Sequence, residues 1–592
     1  MPSSSRLFSQ RPAFTGLILL GCLLFSLVGC SNLLPRLETQ GTESQIVQAI
    51  LSDPKTFNPV LSAESPNIFS LTFAGLVEQH PITGELLPAL AESWNISDDK
   101  RTLTFTLREN LRWSDGEPLT IDDVVFSYND LYLNEAIPTN SRDSLRVGVS
   151  KALPQVRKVD ERRVEFVIAE PFAPFIEFAG GLSILPEHIL GDSVKTQGAD
   201  GKLKFLAQWG TDTPPQQIIG SGPYQLTSYR TSQRLIFKNN PHYWKAQATG
   251  EELPRVEQVV WEIVDSTDTA LLRFRSGSLG SIGVTPEYFS LLKREEDRGN
   301  FDIFNGGPAY GTSFMFFNLN TGRRNGKPLI APHKSRWFNN VHFRQAIAHA
   351  IDRPRMITNI YRGLGGLQNS PISVQSPFYD GSLPGYDYDP QKARDLLAAE
   401  GFVEKNKELF DADGNRVQFS LFTNAGNKVR EAMGSQIKQD LSKIGIQVDF
   451  VPLAWNALID KLSNSLEFDS AMLGFTGSNE PHGGANIWFP DGNLHIFNQK
   501  PQPGRTPLTD RIVSPWETEI ADLFIQASQE LDRQRRKEIY AEVQSLISVQ
   551  VPFIYLVNPY SLSAVRRQIQ EIEYSALGGA FWNIEALEIV QQ

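Results

Sequence analysis

The residues of this chain best suited to chemistry lie in the run Leu473-Gly-Phe-Thr-Gly-Ser-Asn-Glu-Pro-His-Gly-Gly484, a polar, glycine-rich stretch that follows an apolar, strand-like segment. Loops held by a rigid scaffold are where recognition residues concentrate. Thr476 and Ser478 offer hydroxyls and Glu480 a carboxylate, hydrogen-bonding groups that make this loop the best candidate for a ligand site. The plainer reading of Glu480 is a solvated acid capping the turn before Pro481. Phe475, Trp488, Phe489 and Tyr310 are aromatics in loop-like sequence that would wall a pocket, although each alone is more often core. Asn318, inside the apolar run Phe314–Asn320, completes the candidate ligand contacts.

Signals for covalent or metal chemistry are missing. The eight histidines form no recognisable set. His342 and His349 share a helix face, but a spacing of seven residues rises about 10 Å along the axis, too far to bind one metal without a third element. No Gly-x-Ser-x-Gly elbow and no His-Glu-x-x-His occurs. Gly220-Ser-Gly-Pro223 lacks the Gly-Lys-Ser/Thr of a phosphate loop and is read as a turn. The two cysteines, Cys22 and Cys30, both lie near the N-terminus, which excludes thiol catalysis, thiolate metal sites and iron–sulfur clusters from the rest of the chain. No catalytic residue, no metal and no cofactor is expected. A formal charge of −11 argues against nucleic acid as a partner, since phosphate backbones require a basic patch.

The N-terminus has its own logic. Arg6 and Arg11 precede the uncharged run Phe14–Val28, 15 residues long, short of the roughly 20 that a spanning helix needs. A basic region, an apolar core and a small residue before a cysteine make a secretory signal over residues 1–29. Leu27-Val-Gly-Cys30 also resembles a bacterial lipobox, which implies lipidation of Cys30; two acyl chains anchor stably where one is marginal. Cleavage would remove two arginines and no acid, moving the formal charge from −11 to −13. Residues 30–45, with Pro35 and a Thr/Gly/Ser cluster, read as a tether.

Elements that would position the loop follow from periodicity. Leu103, Phe105 and Leu107 alternate with threonines as a strand with one buried face. Trp113-Ser-Asp-Gly116 supplies a turn, and Thr120 with Asp123 starts a helix in the manner of a capping box. Phe69–Glu78 has apolar residues at helical spacing. Tyr224–Ser228 and Arg234–Lys238 read as a hairpin, Phe314–Asn320 as a buried strand. Phe343, Ala346, Ile347, Ala350 and Ile351 form one helical stripe that Pro354 would stop. Asp389-Pro390 opens a helix that Gly401 closes, Lys428–Ile444 is another, and 516–549 is one or two more. Val551–Val557 would return as a strand to the first lobe. Interspersed helices and strands indicate α/β architecture, and the length calls for two or three domains.

As an ordered set, Ala91, Trp94, Phe105, Leu107-Arg108, Trp113, Asp115-Gly116, Pro118-Leu-Thr120, Asp123-Val124 and Phe126 closely resembles the signature of the family 5 extracellular solute-binding proteins, the peptide- and nickel-binding subunits of ABC importers. Asp53–Pro59, Asn239–Trp244, Trp337–Arg353 and Phe468–Gly474 resemble further segments of that family, with Met472 in place of its leucine. Two departures stand out. Gly277-Ser-Leu-Gly280 lacks the family's acid, and Ser478 stands where the dipeptide-binding branch has an aspartate that pairs with the ligand's amino terminus. Glu480 is then the alternative source of that anion.

The resemblance implies a two-lobed periplasmic-binding-protein-like fold (type II, cluster C) with an extra inserted subdomain: lobe I from 46–67, 216–305 and 551–592, the subdomain from 68–215, and lobe II from 306–550. It implies a lipid-anchored, extracytoplasmic, monomeric substrate-binding protein that is not an enzyme. Such a protein captures di- or oligopeptides by hinge closure and delivers them to the permease and ATPase subunits of an ABC importer. Nickel chelates, oligosaccharides and other small solutes are the alternatives within the binding class. A surface hydrolase is the alternative outside it.

Overall fold

The alternation at 102–107 becomes the strand Thr102–Leu107, with Leu103, Phe105 and Leu107 buried and the threonines half-buried. The computed structural model describes residues 44–62, 66–148, 150–501 and 505–590. In it this strand lies within a four-stranded antiparallel sheet, ordered 91–96, 102–107, 163–167, 155–158. Beyond the strand, Gly116 takes φ +93° and Trp113 is wholly buried. Thr120 caps the helix Ile121–Phe126, and the Asp123 carboxylate accepts the Thr120 N–H at 2.8 Å. The same carboxylate accepts the N–H of Glu187 at 2.9 Å, so a local cap also ties down the helix Glu187–Lys195.

The turn docks on the Gly-Ser-Gly-Pro run. Ser114 N–H donates to the Gly220 carbonyl at 2.9 Å, and Gly220 N–H to the Ser114 hydroxyl at 3.2 Å. A Cβ at Gly220 would fall 1.9 Å from the Thr72 carbonyl oxygen, and one at Gly222 would fall 2.6 Å from that of Leu71. These glycines serve backbone contact with the short helix Phe69–Thr72, as expected for a turn.

Two further sheets, of four and five strands, follow. Gln45–Ile50 pairs in parallel with Gln258–Ile263, which continues antiparallel into the hairpin Arg234–Asn239 and Tyr224–Arg230. The larger sheet has the order 447–453, 418–424, 470–473, 314–317, 553–555; its first three strands are mutually parallel and 314–317 runs against both neighbours. Phe314–Phe317 is buried along its whole length. Its core includes Phe343, Ala346, Ile347, Ala350 and Ile351 from the helix Val341–Ala350 and its end, and residues of the helices Lys428–Ser442, Pro515–Gln529 and Arg533–Gln550.

Buried side chains gather in three clusters: one around the five-stranded sheet, one spanning the 45–50 and 91–107 sheets, and a small one around Phe274, Leu292 and Phe301. The strand Val557–Arg566 visits all three, placing Val557 in the first, Leu562 and Ala564 in the third and Val565 in the second. It pairs with Gly365–Leu367 near its start and with Ser281–Gly283 and Phe301–Pro308 further on. Where it leaves the large sheet it runs beside a second crossing segment. Ala309 N–H donates to the Pro559 carbonyl at 2.8 Å, and Leu556 N–H to that of Ser313 at 2.9 Å.

Three expectations are corrected. Phe69–Glu78 is helical only to Thr72, and Val77–Gln79 is a strand paired with Leu86–Pro88; the backbone at Gly75 lies so close to the Gly180 carbonyl that a Cβ would sit 2.5 Å from its oxygen, an approach that helical periodicity could not foretell. Pro354 does not stop the 341–350 helix but occupies the first turn of the next, Arg353–Asn359, capped by Asp352. Phe553–Tyr555 stays with Phe314–Phe316 in the large sheet and does not return to residues 216–305; the strand after it, Val557–Arg566, pairs with Ser281–Gly283 and Phe301–Pro308. The signal segment, Cys30 and the tether through 43 lie outside the described residues. No helix among the described residues is long and apolar enough to cross a membrane.

Candidate ligand-binding site

Two glycines of the 473–484 loop, Gly474 and Gly477, face the backbone of the crossing segment 309–313. A Cβ at Gly474 would lie 2.3 Å from the Thr312 carbonyl oxygen, and one at Gly477 would lie 1.9 Å from that of Tyr310. Only glycine lets the two chains approach this closely. Thr312 N–H donates to the Phe475 carbonyl at 2.8 Å, and Phe475 N–H to the Thr312 hydroxyl at 3.3 Å. Recognition loop and crossing segment are thus stitched together.

Above this seam lies a cavity of about 370 Å³, within the range of small-molecule sites. Tyr310, Phe475, Thr476, Ser478, Glu480 and Trp488 all line it, as do Thr312, Phe553 and Tyr555. Its aromatic wall is continuous with the core. The Phe475 ring lies 4.9 Å from that of Phe314, and Trp488 stacks on Phe524 at 6.3 Å and meets Phe553 edge-on at 5.7 Å. The Tyr310 hydroxyl donates to the Gln375 carbonyl at 3.4 Å. Asn318 is the exception: its amide donates to the carbonyls of Leu466 and Phe468, its oxygen accepts from Asn320 N–H, and it is not on the cavity wall. Buried just past the end of the Phe314–Phe317 strand, it has a structural task.

The polar groups of the loop are largely committed. Ser478 donates to the Glu480 carbonyl at 2.8 Å. Glu480 does cap the 481–484 turn, accepting His482 N–H at 3.1 Å, but it is buried. Its carboxylate takes the Arg536 guanidinium at 2.6 Å and the Tyr540 hydroxyl at 3.1 Å. Arg536 also donates to the Ala527 carbonyl and lies over the Phe378 ring at 4.9 Å. Burial and the Glu480 charge push the Tyr540 hydroxyl well up. His482 packs its ring against Phe172 at 5.0 Å and Phe178 at 6.4 Å; burial, with Arg536 nearby, lowers it to about 4.

Sequence reasoning missed the opposite wall. Glu177 and Phe178, on the short helix Phe175–Gly180, complete the cavity. Burial, then the neighbouring Glu480, raises the Glu177 carboxyl to about 7, against the opposing pull of Arg536 and a hydrogen bond from Gln79. An acid alone in the apolar run Phe175-Ile-Glu-Phe-Ala179 was the available signal, as was Arg536 beside the buried positions Ile539, Tyr540 and Val543. Contacts near this wall join it to the loop's side: Ala173 N–H donates to the Ser528 carbonyl at 2.6 Å, and Lys151 pairs with Asp491 at 2.8 Å. A second cavity of about 410 Å³, lined among others by Gln79, Trp244, Lys245, Trp582 and Glu585, shares Glu177 with the first.

His342 pairs with Glu400 at 2.6 Å and His349 with the Asp387 carbonyl at 2.8 Å, so neither faces a shared centre. Among the described residues no group of three or more His, Cys, Asp and Glu side chains is placed to hold a metal ion.

A mixed α/β chain with separate cores, joined by paired crossing segments beside a pocket of this size, defines a two-lobed solute-binding protein of the periplasmic-binding-protein kind. The chain belongs to the bacterial extracellular solute-binding proteins, family 5, whose middle-region model matches residues 85–494. It is 31% identical over 532 residues to a "Probable ABC transporter-binding protein" of Deinococcus radiodurans, covering 86% of this chain and 85% of that one. It is 25% identical over 542 residues to the dipeptide-binding protein of Escherichia coli, covering 89% and 91%. The fold matches the oligopeptide-binding protein AppA of Bacillus subtilis, solved in complex with a nonapeptide, with a TM-score of 0.68 and 21% identity over 92% of this chain and 99% of that one.

Proposed function

We propose that this protein captures peptides outside the cytoplasm and delivers them to the permease and ATPase subunits of an ABC importer, without catalytic turnover. The observation that carries this reading is the cavity of about 370 Å³ between the 475–488 loop and Glu177-Phe178. Its wall combines aromatic surface with placed hydroxyl, amide and carboxylate groups, among them those of Thr312, Thr476, Asn486 and Glu177, the make-up of a small-solute site and one able to hydrogen-bond a peptide backbone. Relatives named for dipeptide and oligopeptide binding support the ligand class. The domain division follows the resemblance, with lobes moving about the paired segments Ala309–Ser313 and Leu556–Pro559 by hinge closure. Residues 1–29 serve as signal, Cys30 as lipid anchor and 30–45 as tether, on a monomer. Thermal-shift screening of a di- to nonapeptide library tests the function, since a ligand at about 100 times its dissociation constant adds roughly 2.7 kcal/mol to the native state. A midpoint moved by sugars or nickel chelates and by no peptide overturns the ligand class. Mass spectrometry of the membrane fraction from the producing cell tests the anchor; an unmodified Cys30, or a mature chain starting elsewhere, overturns it.

A further inference from the structure

We propose that the Glu177 carboxylate is the counter-ion for an ammonium group of the ligand, so that charge recognition comes from the wall opposite the 473–484 loop. This deepens the peptide reading and rests on it for the kind of ligand. Two acids line the cavity, Glu177 and Glu480. Glu480 is neutralised by Arg536 and also bonded to Tyr540. Ser478 is neutral and donates its proton to a carbonyl. Glu177 has no ion-pair partner among the described residues, and its side chain reaches both cavities.

The groups around it leave its charge uncompensated. Glu480 of the loop, Arg536 of the 533–550 helix and Gln79 of the 77–79 strand act on it directly, and Glu78, His80, Lys245 and Glu585 line the second cavity that it shares. Arg536 is held by Glu480. Lys245, on the far wall of the second cavity, is shared between Glu78 at 3.2 Å and Glu585 at 2.7 Å. Net negative charge therefore remains where a ligand sits, and a desolvated carboxylate without a cation is unfavourable until one arrives. That Glu177 titrates near 7 rather than in the usual carboxylate range agrees with this. An ammonium there forms a charge-assisted hydrogen bond and links the Phe175–Gly180 helix, through the ligand, to the loop on the other wall. Gly75 and Gly180 hold that helix close: a Cβ on Gly180 would lie 2.7 Å from Val77.

The ammonium has two sources, a peptide amino terminus or a lysine side chain. Calorimetric titration of the full-length wild type and Glu177→Gln separates them, with four probes: a peptide with a free amino terminus, its N-acetylated form, an N-acetylated form carrying lysine, and cadaverine. Wild type should bind at least one cationic probe roughly ten- to hundredfold more tightly than the neutral one, and Glu177→Gln should erase that preference. The preference should grow from pH 6 to pH 8 in wild type only, as Glu177 ionises. The melting midpoint of the unliganded variant at pH 8 should equal or exceed that of wild type, since an acid of raised pKa destabilises the native state once ionised. If cadaverine binds through Glu177 and no peptide binds, the ammonium site stands and the peptide reading falls. If neutral and cationic peptides bind wild type equally, or the variant loses both equally, the peptide reading stands and the ammonium site falls. Absence of binding by every cationic probe also overturns it.

Discussion

Glu480 and Arg536 meet at 2.6 Å with their side chains only 6% and 9% exposed. They lie 56 residues apart, on the recognition loop and on the Arg533–Gln550 helix. Burying both charges costs much of what their attraction returns, while removing one leaves the other unpaired. Arg536→Met should therefore lower unfolding stability by about 3–5 kcal/mol. The double variant Glu480→Gln/Arg536→Met should lose distinctly less than the sum of the single losses. Urea denaturation of the four proteins checks this; additive losses would mean that the pair does not act as a unit.

The same pairing changes what Glu480 can do for a ligand. Because its carboxylate already serves Arg536, Tyr540 and the His482 N–H, Glu480→Gln should weaken free and N-acetylated peptides by the same factor. Calorimetry on matched peptides decides it. A loss confined to free amino termini would return the anionic role to Glu480 and take it from Glu177.

Gly477 sits where a side chain has no room, 1.9 Å from the Tyr310 carbonyl oxygen at its ideal Cβ position. Gly477→Ala should push the loop off the crossing segment and weaken ligand binding roughly tenfold or more, while core packing, measured by near-UV circular dichroism, stays close to wild type. Unchanged affinity would show that the loop's seat on that segment does not shape the cavity.

His482 and Glu177 pull stability in opposite directions with pH. His482 is lowered from 6.5 to about 4 by burial, so the unfolded chain binds its proton first; the stability tied to the neutral ring is present above 6.5 and lost as pH falls toward 4. Glu177 is raised from 4.5 to about 7, so its contribution is full below 4.5 and lost as pH rises through 7. His482→Phe keeps an aromatic against Phe172 and Phe178 and should flatten the fall in melting temperature between pH 6.5 and 4. Glu177→Gln should flatten the fall between 4.5 and 7. Profiles parallel to wild type in both variants would refute these assignments.

What was legible in the sequence is what the chain settles over short distances. The Thr102–Leu107 strand, the Trp113–Gly116 turn, the Thr120–Asp123 cap, the 341–350 stripe and the Asp389 cap each depend on side-chain period or on a bond to a backbone group a few residues away. Six of the seven candidate ligand contacts also line one cavity: five come from the 475–488 stretch, which follows a strand and is held by the scaffold it leaves, and Tyr310 comes from the segment on which that stretch packs. Tertiary structure decided the rest. Asn318 faces the carbonyls of residues nearly 150 positions away, and the end of the helix at Thr72 reflects a backbone contact between Gly75 and Gly180. Ionisable side chains show the limit most clearly. Glu480 finds Arg536, and Glu177 meets the same cavity from a helix about 300 residues earlier. Charge at a buried site is set by burial and by whichever partner the fold brings near, and neither is written in local spacing.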